Sequence, residues 1–508
     1  MSCLDLIGAG RPCRACALVI AAAAVIVATA GGAGCGSVPA GRAVDAGREG
    51  AAAIPGAPAF SPSPDETAFI DELQQRTFRF FWDLCDPETG LCPDRAPTRS
   101  FASVSATGFA ITSYPIGAER GWVTREQAAR RTLNTLRFFR TVRQDTVAAG
   151  AAGYRGFYYH FVDPGTGYRF RDVELSTVDT ALLLAGALFC QSYFDGRGAV
   201  EDSIRTLAEE LYDAADWTWA SPRPPLIGHG WSPEDGMLPY DWGGYNEAMI
   251  LYVIALGSDT HPCDPAACDG FRRGYRWGSF EGVEHLGFAP AFGHQFTQVW
   301  LDLRGLQDDF TRAHGIDYFE NSRRASVAQR NYALANPGQW RGYGERLWGL
   351  SACDGPIWGD HVIDGRTRHF ETYWARGASF TEVQDDGTIC PDATAGAIAF
   401  APDLIVPLLA AMRQDHGDRV FRQYGFVDAL NPTFTRTDIK VQHGWVDPQH
   451  GWYDVDYVGI GQGAIVTMIE NWRTGLIWET LRDNPHIVRG LRRAGFSGGW
   501  LDAAPKAP

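Results

Sequence analysis

Four segments of helical length are apolar on every side, and they constrain the fold more than any other feature of the chain. They are residues 180–190, 248–256, 404–412 and 464–469. A helix without a polar face must be surrounded by protein. Other helical segments, at residues 124–139, 199–217 and 321–335, carry one apolar stripe, which is typical of an outer layer. The alternation predicts an all-α fold, an (α/α)6 toroid in which two rings of helices are concentric.

A capping box marks the start of the folded domain. Ser63-Pro64-Asp65-Glu66 places an N-cap serine three residues before a glutamate, with proline at the first helical position. Residues 36–62 are mainly Ala, Gly, Pro and Ser, and they contain too few large apolar groups to order a chain. We therefore predict a disordered linker over 36–62, one domain over 63–500 and a tail over 501–508.

The first 35 residues predict export. Arg11 and Arg14 precede an apolar run at 17–27, and small residues follow up to Cys35. This pattern is typical of a signal peptide, which would place the protein in the periplasm or at the cell surface. Cys35 is a candidate for lipidation, which would anchor the chain to a membrane. Cleavage that releases a free chain is the alternative.

Charge and cysteine content restrict the partners and the compartment. The formal net charge of −15 disfavours nucleic acid and is compatible with a neutral poly- or oligosaccharide. We expect a monomer. In an exported protein, cysteines close in sequence suggest disulfides. The candidate pairs are Cys85 with Cys92, Cys263 with Cys268, and Cys353 with Cys390, which leaves Cys190 as a buried thiol; the alternative is that all are reduced.

Acidic residues precede the apolar helices. If these helices run parallel, the acids converge at one mouth of the ring together with aromatic side chains, as in clefts that bind and cleave sugars. The acids are Glu174, Asp241, Glu247, Asp385, Asp386, Asp454 and Asp456, and the aromatic residues are Trp231, Trp242, Tyr245, Trp374 and Trp452.

Simpler explanations exist for three of the acids. Asp179 follows Ser176 by three residues and could complete a capping box. Glu174 could be a solvated loop residue. Glu247 could simply be a negative charge that the positive end of a helix dipole stabilises. That interaction would lower the pKa of Glu247, whereas a general acid at neutral pH needs a raised pKa.

Other chemistries lack their motifs. The chain contains no His-Glu-x-x-His and no phosphate-binding Gly-Lys-Ser/Thr. Residues 459–464 mimic a dinucleotide loop but lack the strand–helix–strand context. His229, His285, His294 and His443 are scattered without the spacing of metal ligands. We therefore predict no cofactor and no metal.

Ordered motifs between about residue 66 and residue 496 resemble the glycoamylase-like domain that defines glycoside hydrolase family 144. They lie at 80–83, 115–122, 154–161, 174–183, 244–248, 320–325, 352–356, 385–388 and 468–475. The resemblance implies an (α/α)6 barrel and an inverting endo-β-1,2-glucanase, and it makes Glu247 the candidate general acid.

The chain departs from that family at one position. Where the family pattern reads Gly-Ile-Asp-Gln-Gly-Pro, this chain has Gly461 in place of the aspartate. If that aspartate is the base, Asp456, or its neighbour Asp454, has to replace it. Glu174 and Asp179 are further candidates for the base.

Our hypothesis is that Glu247 protonates the glycosidic oxygen and that Asp456 activates water. The residues expected to line the substrate site are Glu174, Asp179, Trp242, Tyr245, His294, Arg376 and Asp386. Two alternatives stay open: a catalytically silent glycan-binding surface lipoprotein, which the glycine at 461 favours, and a hydrolase for another glucan linkage.

Overall fold

The computed structural model describes residues 60–504. The predicted signal peptide, the candidate lipidation site Cys35, residues 36–59 of the predicted linker and residues 505–508 lie outside this range. Within residues 60–504, no helix combines the length and the apolar character needed to cross a bilayer.

Sixteen α-helices are present in the described part of the chain. They are α1 (Pro64–Leu84), α2 (Val104–Glu119), α3 (Arg125–Thr141), α4 (Thr177–Tyr193), α5 (Ala199–Ala214), α6 (Met249–Gly257), α7 (Ala267–Arg272), α8 (Phe292–Trp300), α9 (Asp309–His314), α10 (Tyr318–Ala335), α11 (Pro391–Gly396), α12 (Pro402–His416), α13 (Gly459–Arg473), α14 (Leu476–Leu481), α15 (Pro485–Arg493) and α16 (Gly499–Ala503). A short 3-10 helix, Gly417–Arg419, follows α12.

Side-chain caps begin the outer helices where the sequence predicts them. The Ser63 hydroxyl accepts the Glu66 N–H, and the Glu66 carboxylate accepts the Ser63 N–H at 2.8 Å. Thr124 and Gln127 form the same reciprocal pair at the start of α3. Each box satisfies two N–H groups that would otherwise lack a partner at a helix end. The predicted capping box at Ser63 is therefore confirmed.

Six helices pack side by side in a closed cycle. In order of contact they are α2, α4, α6, α8, α11 and α13, and α13 packs against α2 again. Helices α2, α4 and α6 are buried along almost their whole length. The second set lies outside this cycle: α1 contacts α2 and α13, α3 contacts α2, α5 contacts α4, α15 contacts α6, α10 contacts α8, and α12 contacts α11.

The buried helices differ in part from those predicted. Residues 404–412 belong to α12, which has exposed positions on one side, including Pro407, so the prediction that this segment is buried all round is wrong. Helix α2 is buried although it contains several Ser and Thr residues. The hydroxyls of Thr112 and Ser113 donate to backbone carbonyls of the same helix, Gly108 O at 2.8 Å and Ala110 O at 2.7 Å. This local satisfaction removes the cost of burying the polar groups.

Twenty-three short strands accompany the helices in residues 60–504, so the fold is mainly helical and not all-α. They are β1 (Cys92–Pro93), β2 (Arg95–Ala96), β3 (Ala102–Ser103), β4 (Gly153–Tyr154), β5 (Phe157–Tyr159), β6 (Phe161–Val162), β7 (Leu175–Ser176), β8 (Gly230–Ser232), β9 (Gly236–Met237), β10 (Trp277–Phe280), β11 (Val283–Leu286), β12 (Ala352–Cys353), β13 (Gly359–Ile363), β14 (Arg366–Phe370), β15 (Trp374–Ala375), β16 (Gly377–Ser379), β17 (Glu382–Gln384), β18 (Phe421–Arg422), β19 (Gly425–Phe426), β20 (Leu430–Asn431), β21 (Trp445–Asp447), β22 (Gly451–Tyr453) and β23 (Tyr457–Val458). These strands are too short for the alternation of apolar and polar residues to be read from sequence.

The strands pair antiparallel in small sheets, and several of them lead directly into buried helices. The larger sheets have the orders β1-β3-β6, β20-β22-β21 and β4-β5-β7-β8-β9; the two-stranded ones are β2-β23, β10-β11, β12-β15, β13-β14, β16-β17 and β18-β19. Strand β3 ends immediately before α2, β7 before α4, and β23 before α13. In the β2-β23 pair, Arg95 lies opposite Val458. The sheets therefore fix the amino-terminal ends of buried helices.

The helical structure continues past residue 500, and one of the three candidate disulfides is present. The predicted tail at 501–508 begins inside α16, whose Leu501 is 1% exposed and packs on the core. The predicted Cys85–Cys92 disulfide is present. The other candidate pairs are not bonded: the thiols of Cys263, Cys268, Cys353 and Cys390 are free and buried, as is Cys190.

Candidate functional site

Backbone hydrogen bonds join the segments that lead into the buried helices. The Gly459 N–H at the start of α13 donates to Asp94 O (2.7 Å), Val104 at the start of α2 to His160 O (3.2 Å), Thr177 at the start of α4 to His229 O (3.2 Å), and Cys390 before α11 to Gly349 O (3.0 Å). Ala291 before α8 donates to Leu350 O at 3.0 Å. The residues at these helix starts therefore form one continuous layer, and it contains most of the predicted site residues.

Glu247 lies in this layer, two residues before α6 begins, and it is 6% exposed. Burial, with a smaller contribution from the negative charge of Asp179, raises the pKa of Glu247 to about 7, although a backbone hydrogen bond acts against it. Its backbone is held by Thr297 on α8, whose hydroxyl donates to Glu247 O at 3.0 Å. Burial therefore favours the protonated form of Glu247 up to about neutral pH. This is the protonation behaviour that a general acid requires.

A histidine bridges two of the predicted acids beside Glu247. His160 Nδ1–H donates to Glu174 Oε1 at 2.9 Å, and His160 Nε2 lies 3.6 Å from Asp179 Oδ2. Burial alone would lower the pKa of His160, but Asp179 and Glu174 together raise it to about 9. Asp179 also accepts the Ser176 hydroxyl and, in the first turn of α4, offers its N–H to the same Ser176 oxygen. Asp179 therefore completes the capping contact and faces the site at the same time.

A second group of carboxylates lies deeper in the layer. One oxygen from each of Asp354, Asp428 and Asp454 lies within 4.8 Å of the other two, and all three residues are buried. Burial raises the pKa of Asp428 and Asp454 well above the usual range, and the neighbouring carboxylates add to the rise. Arg95 from β2 donates to Asp354 Oδ2 and lies 3.3 Å from Asp94 Oδ2. Because Asp94 also interacts electrostatically with His160, the two groups of acids adjoin.

These carboxylates also form a donor set of the kind that hard divalent cations use. The sequence did not reveal it, because its members come from three separate segments. Cys390, Asp392 and Asp428 form a similar set with one thiol. The Arg95 guanidinium lies against Asp354 and already supplies positive charge there.

Asp456, the predicted base, is fully buried in this layer. The Thr98 N–H donates to its Oδ1 at 2.8 Å, and its Oδ2 lies 3.7 Å from His443 Nδ1 without a hydrogen bond to any described residue. The backbone carbonyl of Asp456 accepts the Asp428 N–H at 2.8 Å. Asp456 is therefore well placed among the acids but has no contact with solvent in this structure. Its role as the base stays a prediction.

Asp392, in the first turn of α11, contacts the position at which the sequence departs from the family. A Cβ built on Gly461 would overlap Asp392 Oδ2, so the carboxylate fills the space that a side chain at 461 would need. Asp392 Oδ1 accepts the Cys390 thiol and, at 2.6 Å, the Ala393 N–H. Burial raises the pKa of Asp392 to about 6 against these two hydrogen bonds.

Three other predicted site residues lie beside Glu247 but are mostly covered. Trp242 is 3% exposed, stacks on His229 with a centroid distance of 3.9 Å, and donates from Nε1 to Thr177 Oγ1 at 3.0 Å. Tyr245 stacks on Tyr318, and its ring centroid lies 5.1 Å from that of His294. Burial lowers the pKa of His294 to about 3, so this imidazole is neutral. These residues form the wall of the site, and their direct contact with a substrate stays a prediction.

Arg376 and Asp386 form a closed ion pair behind the site. Arg376 Nε and Nη2 each donate to an Asp386 oxygen at 2.7 Å, and both side chains are almost completely buried. Arg376 Nη1 also donates to Cys353 O at 2.7 Å. With its donors satisfied inside the protein, Arg376 anchors the segment that carries Asp354. Of the remaining predicted acids, Asp241 pairs with Arg223 and Asp385 accepts the Tyr332 and Tyr343 hydroxyls.

Sequence reasoning missed His160, Arg95, Asp354, Asp392 and Asp428 as site residues. His160 and Asp354 lie inside motifs that carry the family resemblance, so their positions could have been read from those motifs. Asp428 has no such signal in its neighbourhood. Asp392 could have been found only by asking which residue could reach position 461.

Comparison with known proteins supports the family resemblance. Residues 239–485 match the family model described as "Putative glucoamylase". Over these residues the chain thus resembles the glycoamylase-like family, in agreement with its motifs. A curated relative, the exo β-1,2-glucooligosaccharide sophorohydrolase (non-reducing end) of Parabacteroides distasonis, is 27% identical over 469 residues, which cover 85% of this chain. The match spans only 58% of the length of that relative.

Solved structures share the fold over most of the chain. A "putative glucoamylase" from Bacteroides uniformis is 29% identical, with a TM-score of 0.74 over 87% of this chain and 100% of that one. The endo-β-1,2-glucanase of Chitinophaga pinensis, solved with sophorotriose and glucose, is 23% identical, with a TM-score of 0.73 over 86% of this chain and 99% of that one. At this identity the second likeness concerns the fold.

Proposed function

We propose that the protein is a glycoside hydrolase that cleaves β-1,2-glucan or its oligosaccharides with inversion at the anomeric carbon. One observation carries this proposal: Glu247 is a buried carboxyl group with a pKa of about 7, and it lies in the same layer as a large group of carboxylates. Inverting glycosidases need this combination of one acid that holds its proton and one carboxylate that accepts a proton from water.

The chemical step follows from these roles. Glu247 donates its proton to the glycosidic oxygen as the bond between that oxygen and the anomeric carbon breaks. A water molecule on the opposite face of the sugar forms the new bond to the anomeric carbon and gives its proton to a second carboxylate. Glu247 ends ionised and the second carboxylate ends protonated, and exchange with solvent restores both. Direct displacement requires about 6.5 to 9.5 Å between the two carboxyl groups, which leaves room for the water.

The choice of substrate is supported by the relative from Parabacteroides distasonis, whose name describes hydrolysis of β-1,2-glucooligosaccharides from the non-reducing end. The motifs point to endo action, whereas the name of this relative describes exo action. The lengths of the products therefore form part of the test.

We further infer that the closed cycle of six helices and the helices outside it form an (α/α)6 double ring, with the site at the mouth where the inner helices begin. The cyclic order of contacts supports this arrangement. The signal-like first 35 residues support export to the periplasm or cell surface, with Cys35 as the proposed lipid attachment site. We also propose that the protein is a monomer, which size-exclusion chromatography with light scattering would test.

The decisive experiment is hydrolysis of a panel of β-1,2-, β-1,3-, β-1,4- and α-1,4-glucans by the purified protein. We expect short oligosaccharides from β-1,2-glucan, with an α-anomer as the first product in proton NMR. A disaccharide alone from the earliest times would identify exo action, and a ladder of lengths endo action. Release of oligosaccharides from another glucan of the panel would show that the proposed substrate is wrong. Binding of β-1,2-glucan without product would instead identify a silent glycan-binding protein.

A further inference from the structure

We propose that Asp392 is the general base of this enzyme and that its carboxylate acts from the space that a side chain at position 461 would occupy. The inference rests on the proposed function. It assigns the second carboxylate of that mechanism to a residue that neither the motifs nor the comparisons indicate.

The first step of the argument is steric. Gly461 lies in the first turn of α13, and Asp392 lies in the first turn of the neighbouring helix α11. A Cβ on residue 461 would overlap Asp392 Oδ2, so this oxygen lies directly against the Gly461 backbone. A side chain at 461 and the observed position of the Asp392 carboxylate therefore exclude each other. The absence of a side chain at 461 is what admits Asp392 to this space.

The second step concerns access to water. A general base has to reach the water that it activates. Asp428, Asp454 and Asp456 are at most 2% exposed, whereas Asp392 keeps partial exposure. Glu174 and Asp179 keep side-chain exposures of 16% and 9%, but they face the His160 imidazole. Among Asp392, Asp428, Asp454 and Asp456, Asp392 is therefore the residue that keeps contact with solvent.

The third step concerns the two oxygens of Asp392. Oδ1 is fixed by the Cys390 thiol and by the Ala393 N–H. No described residue hydrogen-bonds Oδ2, the oxygen that lies over Gly461. One oxygen thus orients the carboxylate and the other is free to accept a proton. Cys390 is a free thiol, so it can donate this bond, which a disulfide with Cys353 would remove.

The cycle of buried helices sets the position of Asp392 relative to Glu247. In the cycle of buried helices, α6 and α13 are separated by α8 and α11 on one side and by α2 and α4 on the other. Glu247 precedes α6, and the Asp392 carboxylate reaches from α11 onto α13, so the two groups approach the site from opposite parts of the cycle. In the reaction, Asp392 Oδ2 takes one proton from water while the water oxygen bonds to the anomeric carbon. Glu247 gives one proton to the leaving oxygen.

The experiment compares the wild-type protein with Asp392→Asn, Asp456→Asn and the control Asp418→Asn, which changes an exposed aspartate on the 3-10 turn after α12. We expect Asp392→Asn to lower kcat on β-1,2-glucan by about 100-fold or more with little change in KM, as expected when a positioned base is lost. Asp418→Asn should keep the wild-type rate. Asp456→Asn should keep more activity than Asp392→Asn.

Two further variants separate a base from a structural residue. Formate, a small carboxylate, should restore part of the rate of Asp392→Ala, but it should not affect the Asp456→Asn protein. Gly461→Ala should displace the Asp392 carboxylate and lower kcat at least tenfold. Its thermal stability should be retained, because alanine favours a helix more than glycine does and the displaced group is the end of a flexible side chain.

The outcomes are distinguishable. If the wild-type protein hydrolyses none of the glucans, the proposed function fails, and Asp392 has no base role to perform. If the wild-type protein is active and Asp392→Asn stays within tenfold of it, the proposed function stands and the assignment of Asp392 is wrong. The assignment is also wrong if Asp456→Asn loses as much activity as Asp392→Asn while formate fails to rescue Asp392→Ala.

Discussion

Replacing Glu247 with glutamine should strongly lower activity and stabilise the protein, because the substitution removes a proton donor and a buried ionisable group at once. Glutamine keeps the shape of protonated glutamic acid but cannot give a proton to the leaving oxygen. A positioned general acid contributes about 10² to 10⁴ in rate, so we expect kcat to fall at least about 100-fold. In the wild-type enzyme, a pKa of about 7 predicts that activity decreases by roughly tenfold between pH 6 and pH 8 as Glu247 loses its proton.

The effect on stability depends on pH with a definite sign. The pKa of Glu247 is raised from its ordinary value of 4.5 to about 7 on folding, so the folded state favours the protonated form. Below pH 4.5 the group is protonated in both states and has no effect. Between pH 4.5 and pH 7 the unfolded state loses this proton more readily than the folded state, and the resulting loss of stability is about 1 kcal/mol at pH 5 and levels off at about 3 kcal/mol by pH 8. Glutamine removes this cost.

Differential scanning fluorimetry at pH 5 and pH 8 would measure the gain. For roughly 440 ordered residues, an unfolding entropy of about 2.1 cal/mol/K per residue converts about 3 kcal/mol into a rise in Tm of about 3 °C at pH 8, and only about 1 °C at pH 5. The exposed Glu88→Gln, in the loop closed by the Cys85–Cys92 disulfide, is the matched control and should change neither Tm nor rate. Near-normal turnover in Glu247→Gln would remove the residue from the acid role. A gain in Tm that is equal at both pH values would refute the electrostatic reasoning.

Three further substitutions test other parts of the structure. His160→Gln should lower Tm most below pH 6.5. The difference from wild type should shrink as the pH rises through about 9, because the wild-type His160 imidazolium between Glu174 and Asp179 then loses its proton as well. Melting curves over a pH series measure this. Arg376→Met should destabilise the protein by about 3 to 5 kcal/mol in urea unfolding, since it leaves the buried carboxylate of Asp386 unpaired. Trp358 directly precedes β13 and is 67% exposed, so Trp358→Ala should leave Tm unchanged. If this indole stacks on sugar units, the same substitution should raise KM for long glucans more than for short ones.

A buried helix could be predicted from the sequence where its residues are apolar on every side. Helices α4 and α6 are apolar on every side, and both were predicted as buried. Helix α2 was missed because its serines and threonines read as polar, although their hydroxyls bond to the backbone of the same helix. Residues 404–412 gave the opposite error: the segment is apolar, but it packs in the outer layer and exposes Pro407. The short strands between the helices have too few residues for a period to appear.

The acid could be predicted from sequence and the pairing of the other acids could not. Glu247 stands at the start of an apolar helix, and burial there follows from the composition around it. In contrast, Asp241, Asp385 and Asp386 also precede helices but are bound by Arg223, by two tyrosines and by Arg376. Each of these partners depends on tertiary contacts between segments far apart in the chain. Spacing along the sequence carries no information about them.

The geometry around Gly461 suggests why a catalytic carboxylate could move between helices without loss of the site. The acids around it are held by backbone contacts of the strands and loops: the Asp354 N–H donates to Asp428 Oδ2 at 2.7 Å, and the Asp428 N–H donates to Asp456 O at 2.8 Å. This framework does not depend on the side chain at 461. Burial raises the pKa of Asp428 and Asp454 well above the usual range, which favours their neutral forms and limits the repulsion that a further carboxylate would meet. A negative charge can therefore enter the same space from α11 as readily as from α13, provided that one of the two positions lacks a side chain there.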